Sequence, residues 1–420
     1  MRPMRPSFPL NPGRALRVAA CAAVAAAAAL LQVGEGRVTL AAAVAQEAIR
    51  AEVGKPLAAA RDLFKQGKYK EALTRLREAE AVPNRTANEN FLIEQMRLAA
   101  AVQAGETDQA IKAANALLAT GKTTEAERAR ISSALAGLYY RNRDYANAAK
   151  YADMALKANP GDSAMRALLI QSHWSAGDLQ AAAREAALDV QAAEKAGRAP
   201  AEDRLQLLAN VASKGTDRNA YVSALEKLVA YYPKREYWVD LLRRIESKPG
   251  FSNRLTLDVM RLRLATKTIA SGNDYSEMAQ LALQQGQAGE AKRILDEAFA
   301  SGALGKGADA ERQQRLLALA TQRANDAPRD LATAEAEGSA DGNAMVRIGL
   351  AYTGLGQYDK GIALIQQGIA KGGLKNSDDA RLHLGIAYLR AGNKAKANEA
   401  FRGVKGTDGT ADLARLWTRV

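Results

Sequence analysis

The sequence predicts an all-α protein built from repeated helical hairpins, and three observations support this fold class. Apolar residues make up 48% of the 420 residues but aromatic residues only 5%, so Ala and Leu supply most of the apolar content. Both are strong helix formers, whereas sheet cores are rich in Val, Ile and Phe. A turn residue followed by a fixed pattern of small side chains recurs along the chain. Within each copy these side chains are spaced three or four residues apart, which places them on one face of a helix.

The first 45 residues have the layout of a bacterial secretory signal peptide. A basic start precedes the uncharged apolar residues 18–31 (VAACAAVAAAAALL), and an Ala-x-Ala cleavage site ends at Ala45. The basic residues are Arg2, Arg5, Arg14 and Arg17. This pattern predicts a periplasmic protein. An uncleaved inner-membrane anchor over about residues 15–33, facing the periplasm, is the alternative.

Seven copies of the repeated pattern begin at a turn residue. The turn residues are Gly67, Gly105, Arg143, Gly177, Gly286, Gly356 and Gly392. Most intervals between them are close to 35 residues, and the two long gaps are close to three and two such periods. The gaps therefore predict three further, degenerate units and about ten hairpins in all.

The copy at residues 143–162 (RDYANAAKYADMALKANPGD) shows why small residues recur. Ala148 and Ala155 allow the two helices of a hairpin to approach closely, whereas Tyr145 fills the wider space beside the turn. Pro160 ends the second helix because its ring cannot be accommodated in a continuing helical turn. Neither helix can bury its apolar stripe alone, so the hairpins are expected to stack.

Three stretches carry a pattern of small and aromatic residues that resembles the tetratricopeptide repeat (TPR) superfamily. They are ALAGLYYRNRDYANAAKYADMALKANPGD, RIGLAYTGLGQYDKGIALIQQGI and HLGIAYLRAGNKAKANEAF. The resemblance covers most of residues 53–405 and is weakest in the middle third. It implies an α-solenoid, a right-handed superhelix that binds other proteins. The block from residue 237 onward is also similar to uncharacterised periplasmic TPR proteins of proteobacteria.

The predicted organisation follows from the strength of this pattern. An N-terminal array spans residues 46–233, and a degenerate basic helix pair, interrupted by a Pro-Gly turn, spans 234–270. A C-terminal array follows at 271–405, and residues 406–420 form a capping helix with Leu413, Leu416 and Trp417 on one face.

Residues suited to catalysis or metal binding do not form a recognisable set. Cys21 lies in the leader and is the only cysteine, so the mature chain has no disulfide and no thiolate nucleophile. His173 and His383 are the only histidines, and neither stands in a metal-binding motif. The motif GKTT at 121–124 lacks the upstream glycine of a phosphate-binding loop, and GKGADA at 305–310 is predicted to lie between helices. We therefore expect a non-enzymatic protein without cofactors or metals.

Residues 234–267 contain nine Lys or Arg residues against four Asp or Glu residues. Such a segment could bind an acidic protein, anionic lipid headgroups or an acidic glycan, or it could form salt bridges to neighbouring repeats. The predicted basic patch consists of Arg243, Arg244, Lys248, Arg254, Arg261 and Arg263. Nucleic acid is not an expected partner of an exported protein.

The first helices of stacked hairpins line the inner surface of a solenoid, and helical phase predicts which side chains face this groove. The predicted groove residues are Tyr140, Arg141, Gln171, Trp174, Gln280, Leu283, Arg347, Leu389 and Arg390. Trp174 has an alternative role in packing against the next repeat. Tyr, Trp and Arg commonly anchor protein interfaces. The leading hypothesis is a periplasmic scaffold that binds a cell-envelope protein in assembly, secretion, pilus or TonB-type machinery. The alternative is a glycan-binding module that assists exopolysaccharide export.

Overall fold

The computed structural model describes residues 49–214, 218–338 and 341–420, and the predicted leader, residues 1–45, lies outside these ranges. The described residues form twenty α-helices and one short 3-10 helix, and they contain no strand. The predicted all-α class is therefore confirmed. The chain divides into two compact units, Met1–Tyr221 and Val222–Val420.

The first eight helices of the first unit form four stacked helical hairpins, and helix α9 follows them. Its helices are α1 Ala51–Lys65, α2 Tyr69–Ala81, α3 Ala87–Ala104, α4 Thr107–Ala119, α5 Glu125–Arg141, α6 Tyr145–Ala158, α7 Ser163–Ser175, α8 Leu179–Lys195 and α9 Glu202–Lys214. Helix α10, Arg218–Tyr231, spans the boundary between the two units.

The second unit contains four more hairpins, a long single helix and a short last helix within its described residues. Its helices are α11 Arg235–Glu246, α12 Thr256–Ala265, α13 Gly272–Gln284, α14 Ala288–Ala300, α15 Ala310–Gly338, α16 Gly342–Gly354, α17 Tyr358–Lys371, α18 Ser377–Arg390, α19 Lys394–Arg402 and α20 Thr410–Trp417. The 3-10 helix Asn253–Leu255 precedes α12.

The turn residues of the repeat share one backbone conformation. Each of the seven has a positive φ, from 61° at Arg143 to 82° at Gly177. In the first hairpin the N–H of Lys68 donates to the carbonyl of Leu63, which closes the end of α1 in the way common for helix C-termini. Glycine recurs here because it adopts positive φ without steric cost, and Arg143 shows that the repeat tolerates an exception.

The small residues of the repeat are buried where the two helices of a hairpin meet. Ala148 and Ala152 are 0% exposed and Ala155 is 3% exposed. In the pair α16–α17 the contact is closer still, because a Cβ added to Gly349 would lie 2.6 Å from the carbonyl oxygen of Gly361. The predicted role of small residues in close helix packing is therefore confirmed.

The long helix α15 lies where the spacing of the repeats predicted a hairpin between Gly286 and Gly356. It contains 29 residues, and no glycine occurs between Ala310 and Gly338 to form the turn of a hairpin. Ala320 is buried in the core that α13 and α14 contribute, whereas Leu331 packs against Ile348 of α16. One helix thus spans the distance between two hairpins of the second unit, and the described residues of each unit contain four hairpins.

Candidate interaction surfaces

The predicted groove residues of the first unit differ in how much surface they present. Tyr140 is only 7% exposed, and its ring lies 5.3 Å from that of Tyr145. Its hydroxyl interacts with Gln171 and Ser175 of α7, and burial raises its pKa. The structure therefore corrects one prediction: Tyr140 joins the first helices of two successive hairpins and offers little surface to a partner.

Arg141 and Trp174 remain accessible near the ends of α5 and α7. Arg141 is exposed and has no ion-pair or hydrogen-bond partner among the described residues. Trp174 is half-buried against the cluster that contains Ile170 and Leu207, and the Lys214 ammonium lies 5.5 Å from the centre of its ring. The tryptophan thus combines both roles considered from the sequence: one part packs between repeats, and the other part is solvent-accessible.

The predicted groove residues of the second unit are dispersed. Gln280 is exposed in a shallow depression of about 240 Å³ between α13 and α15, and Leu283 packs in the core of these helices. Arg347 is exposed and Leu389 is half-buried. Arg390 is held within the protein, since its Nη2 lies 2.5 Å from Oε1 of Glu290. These five side chains thus range from exposed to packed in the core or held in an ion pair.

The middle of the predicted basic patch forms a buried ionic cluster. Its members are Asp258 and Arg261 of α12, Gln287 and Glu290 at the start of α14, and His383 and Arg390 of α18. Arg261 is 4% exposed and Glu290 0% exposed. Arg261 is therefore not a surface residue, and its predicted role in docking is wrong because its charge is neutralised inside the protein.

The geometry of the buried ionic cluster satisfies the Arg261 guanidinium on all sides. Nη1 donates to Oδ1 of Asp258 at 2.6 Å, and Nη2 donates to Oε2 of Glu290 at 2.6 Å and to Gln287 at 2.8 Å. Nε2 of His383 lies 2.8 Å from the same Asp258 oxygen. Burial alone would raise the pKa of Asp258, but the charges of His383 and Arg261 lower it to about 2. Both carboxylates are thus ionised inside the protein.

A second ionic cluster, at the surface, joins the segment before α12 to the end of the chain. Nη2 of Arg254 lies 2.8 Å from Asp379 and 2.6 Å from Asp408, and the N–H of Ser252 donates to the carbonyl of Asp408. Lys248 pairs with Asp412 of α20 at 2.9 Å. Within the second unit, the residues that precede α12 are therefore bound to the last repeat and the last helix.

The remaining basic-patch residues pair locally or are exposed. Arg263 contacts Glu246 at 2.6 Å, and Nε of Arg244 lies 3.6 Å from Asp240. Arg243 is exposed. Salt bridges to other repeats or to the last helix thus describe three of the six patch residues, Lys248, Arg254 and Arg261. Sequence reasoning missed the acidic partners Glu290, Asp379, Asp408 and Asp412, because it compared the basic residues only with carboxylates in the same segment.

A comparison with family models finds matches in two parts of the chain. Residues 98–163, 134–199 and 346–412 match the model for the tetratricopeptide repeat. The matched ranges cover α5–α8 and most of α16–α19. The interval between them, residues 200–345, is not matched. It contains the long helix α15 and also α12, which contributes to the buried ionic cluster. TPR hairpins generally mediate protein–protein interactions as non-enzymatic scaffolds.

Three solved structures are similar to parts of this chain. A tetratricopeptide repeat protein from Parabacteroides merdae is 14% identical, with 64% of this chain and 99% of that chain covered and a TM-score of 0.30. Naa15/Naa10 bound to HypK-THB is 15% identical, with 86% and 58% covered and a TM-score of 0.30. The TPR domain of P58(IPK) is 15% identical, with 88% and 99% covered and a TM-score of 0.24. Among curated proteins no match is found.

The described residues contain neither a cluster suited to a metal ion nor a helix suited to a membrane. In the part of the chain that the structure describes, no group of three or more His, Cys, Asp or Glu side chains is arranged to hold a metal ion. None of the helices within the described ranges combines the length and the apolar composition needed to cross a bilayer.

Proposed function

We propose that this TPR protein is a non-enzymatic periplasmic scaffold that binds another cell-envelope protein through the first helices of its N-terminal array. The observation that carries the proposal is the pair of accessible side chains at the ends of α5 and α7. Arg141 is exposed and unpaired among the described residues, and Trp174 is half-buried. Arginine and tryptophan are the residue types that most often supply binding energy at protein interfaces.

The periplasmic part of the proposal rests on the leader. Residues 1–45 have the basic start, the apolar core and the cleavage site of a signal peptide, and the chain after residue 45 lacks cysteine. Fractionation of cells that express the full chain with a C-terminal tag tests this part. Recovery of the tagged protein, shortened at Ala45, in the periplasmic fraction is expected, and recovery in the cytoplasm would contradict it.

Crosslinked pulldown of residues 46–420 from the cell envelope, with mass spectrometry of the captured proteins, tests the binding role. Pilus, secretion, outer-membrane assembly and TonB-type components are the expected classes of partner. Trp174→Ala and Arg141→Glu should each reduce capture by about tenfold or more, as expected for interface anchors. Lys112→Glu is the matched control, because Lys112 is an exposed cation on the second helix α4.

The result that refutes the binding role is capture of the same partners, in the same amounts, by the wild type and by both variants. Far-ultraviolet circular dichroism and urea titration of each variant show whether a loss of capture reflects loss of folding instead. The glycan-binding alternative depended on the basic patch, and the carboxylates paired with Arg254, Arg261 and Arg263 leave little positive charge available for a polymer.

A further inference from the structure

The long helix α15 presents one exposed, charged face along its whole length. Its buried side is narrow and contains Gln313, Ala320 and Ala324. Away from that side, six charged residues are exposed, and Leu319 and Thr333 lie between them. Successive members of this set are three or four residues apart, so they share one face of the helix. The six charged residues, called the α15 face below, are Arg312, Arg315, Arg323, Asp326, Asp330 and Glu337.

The charges of the α15 face are segregated along the helix. The three arginines lie in its N-terminal half and the three carboxylates in its C-terminal half. This order opposes the helix dipole, which favours acidic residues near the N-terminus and basic residues near the C-terminus. The stability of the helix itself therefore does not account for the pattern. Two such helices side by side attract each other when they are antiparallel and repel each other when they are parallel.

Four of the six charged residues have no close ionic partner among the described residues. Arg315 and Asp330 pair with neighbouring residues of the same helix, at 2.8 and 3.4 Å. Arg312 reaches only the exposed carboxylate of Asp309, at 3.9 Å. The residues left without a close partner in this part of the chain are Arg312, Arg323, Asp326 and Glu337.

A two-fold axis arranges these four residues as pairs of opposite charge. In an antiparallel pair of identical helices, a residue before the axis faces the residue equally far after it. Arg323 and Asp326 lie equally far from the midpoint between residues 324 and 325, and so do Arg312 and Glu337. The same midpoint is close to the centre of α15. Two helices in this register therefore overlap over nearly their full length of about 43 Å.

We propose that two copies of this chain associate through their α15 helices as an antiparallel pair. Arg323 of each copy pairs with Asp326 of the other, and Arg312 pairs with Glu337. Leu319, which is 42% exposed, adds apolar contact between these ion pairs. A different protein would need a helix with the same segregated charges in matching register, whereas a second copy supplies both, which favours the second copy. The α15 face includes neither of the two side chains that carry the proposed function, so dimerisation and partner binding are tested independently.

Sedimentation equilibrium of residues 46–420 tests the proposal directly. Only one helix face of each copy is buried, so we expect a weak dimer with a dissociation constant on the order of 10 µM. Added salt should weaken the dimer, because exposed ion pairs are screened. Lys394→Glu is the matched control, since Lys394 is an exposed cation on α19, and it should change the affinity less than about twofold.

Two charge reversals at the centre of the α15 face test the register. Arg323→Glu and Asp326→Arg should each weaken dimerisation by at least about tenfold, since every substitution acts twice across a two-fold axis. An equimolar mixture of the two variants should dimerise like the wild type, because each introduced charge then faces its opposite in the other chain. This recovery also shows that both variants are folded.

A monomer at all concentrations overturns the proposal, as does dimerisation of either single variant with wild-type affinity. A mixture of the two variants that stays monomeric overturns it as well. A benzophenone side chain in place of Leu319 locates the contact without any charge reversal. It should crosslink two chains, with the attachment between residues 326 and 333 of the other copy, as mass spectrometry will show. Attachment in the N-terminal half of α15, or outside α15, contradicts the antiparallel pair.

Discussion

Replacing Arg261 by Met should strongly destabilise the second unit, because Arg261 is the central cation of the buried ionic cluster. The substitution removes the guanidinium that lies 2.6 Å from both Asp258 and Glu290 while leaving both carboxylates buried. His383 and Arg390 would remain beside them. Removing one partner of a buried ion pair typically costs about 3–5 kcal/mol, because the remaining charge loses its compensation. That is a large part of the roughly 5–15 kcal/mol that stabilises a typical domain.

The assay is urea denaturation of residues 46–420, combined with hydrogen exchange measured by mass spectrometry. Peptides from α12, α14 and α18 should lose protection, and peptides from α1–α8 should not. The control is Arg75→Met, which removes an exposed pair with Glu78 on α2. An exposed pair contributes about 1 kcal/mol or less. The reasoning is refuted if the two variants lose similar stability, or if the loss of protection appears in the first unit.

Three further predictions concern other contacts of the second unit. Lowering the pH from about 4 to about 2 should reduce the free energy of unfolding of the second unit by about 2 kcal/mol. The reason is that the pKa of Asp258, about 2 in the folded protein, lies below the unfolded value of about 3.9. The stability that Asp258 contributes is present above about pH 4 and is lost as the folded carboxylate takes up a proton, and urea denaturation at several pH values measures this loss. Gly349→Ala should destabilise by about 1–3 kcal/mol, because its Cβ would lie 2.6 Å from the Gly361 oxygen. Leu413→Ala should cost about 2–5 kcal/mol, since this side chain of α20 is 0% exposed. Urea denaturation measures both losses.

Each of the two core substitutions has a matched control in the first unit. A Cβ at Gly54 would lie 3.7 Å from its nearest neighbour, a side-chain carbon of Ile49, so Gly54→Ala should be neutral or slightly stabilising. Leu188 is 51% exposed, and Leu188→Ala should change the stability by less than about 0.5 kcal/mol. Equal effects at the core and control positions would contradict the packing argument. A free energy of unfolding that stays constant between about pH 4 and about pH 2 would contradict the conclusion that buried Asp258 is ionised.

The candidate surfaces were predicted less completely than the fold, and individual residues show why. Helical phase selected both Tyr140 and Arg141, but only the structure shows that the Tyr140 hydroxyl interacts with α7 whereas Arg141 stays exposed. Phase gives the direction in which a side chain points and does not say how close the next hairpin lies.

The long helix α15 shows that the spacing of repeats also predicts structure incompletely. The interval between Gly286 and Gly356 was close to two periods, and it therefore predicted a further hairpin. The absence of glycine between Ala310 and Gly338 was a local signal for one continuous helix. Pro328 lies inside this helix, although proline within a helix usually marks a break. Spacing alone does not distinguish a hairpin from a single helix of the same sequence length.

The sequence by itself determined the helical class, the turns of the seven recognised hairpins and the small-residue faces that they bury. These features depend on residues within a few positions of each other: a glycine that accepts positive φ, and small side chains spaced three or four apart. Tertiary structure alone decided what the basic segment does. Arg254 meets Asp379, and Arg261 meets Glu290, across intervals that no local pattern records. The charge of a segment is a local property, but its neutralisation depends on which distant carboxylates the packing of the hairpins brings within reach.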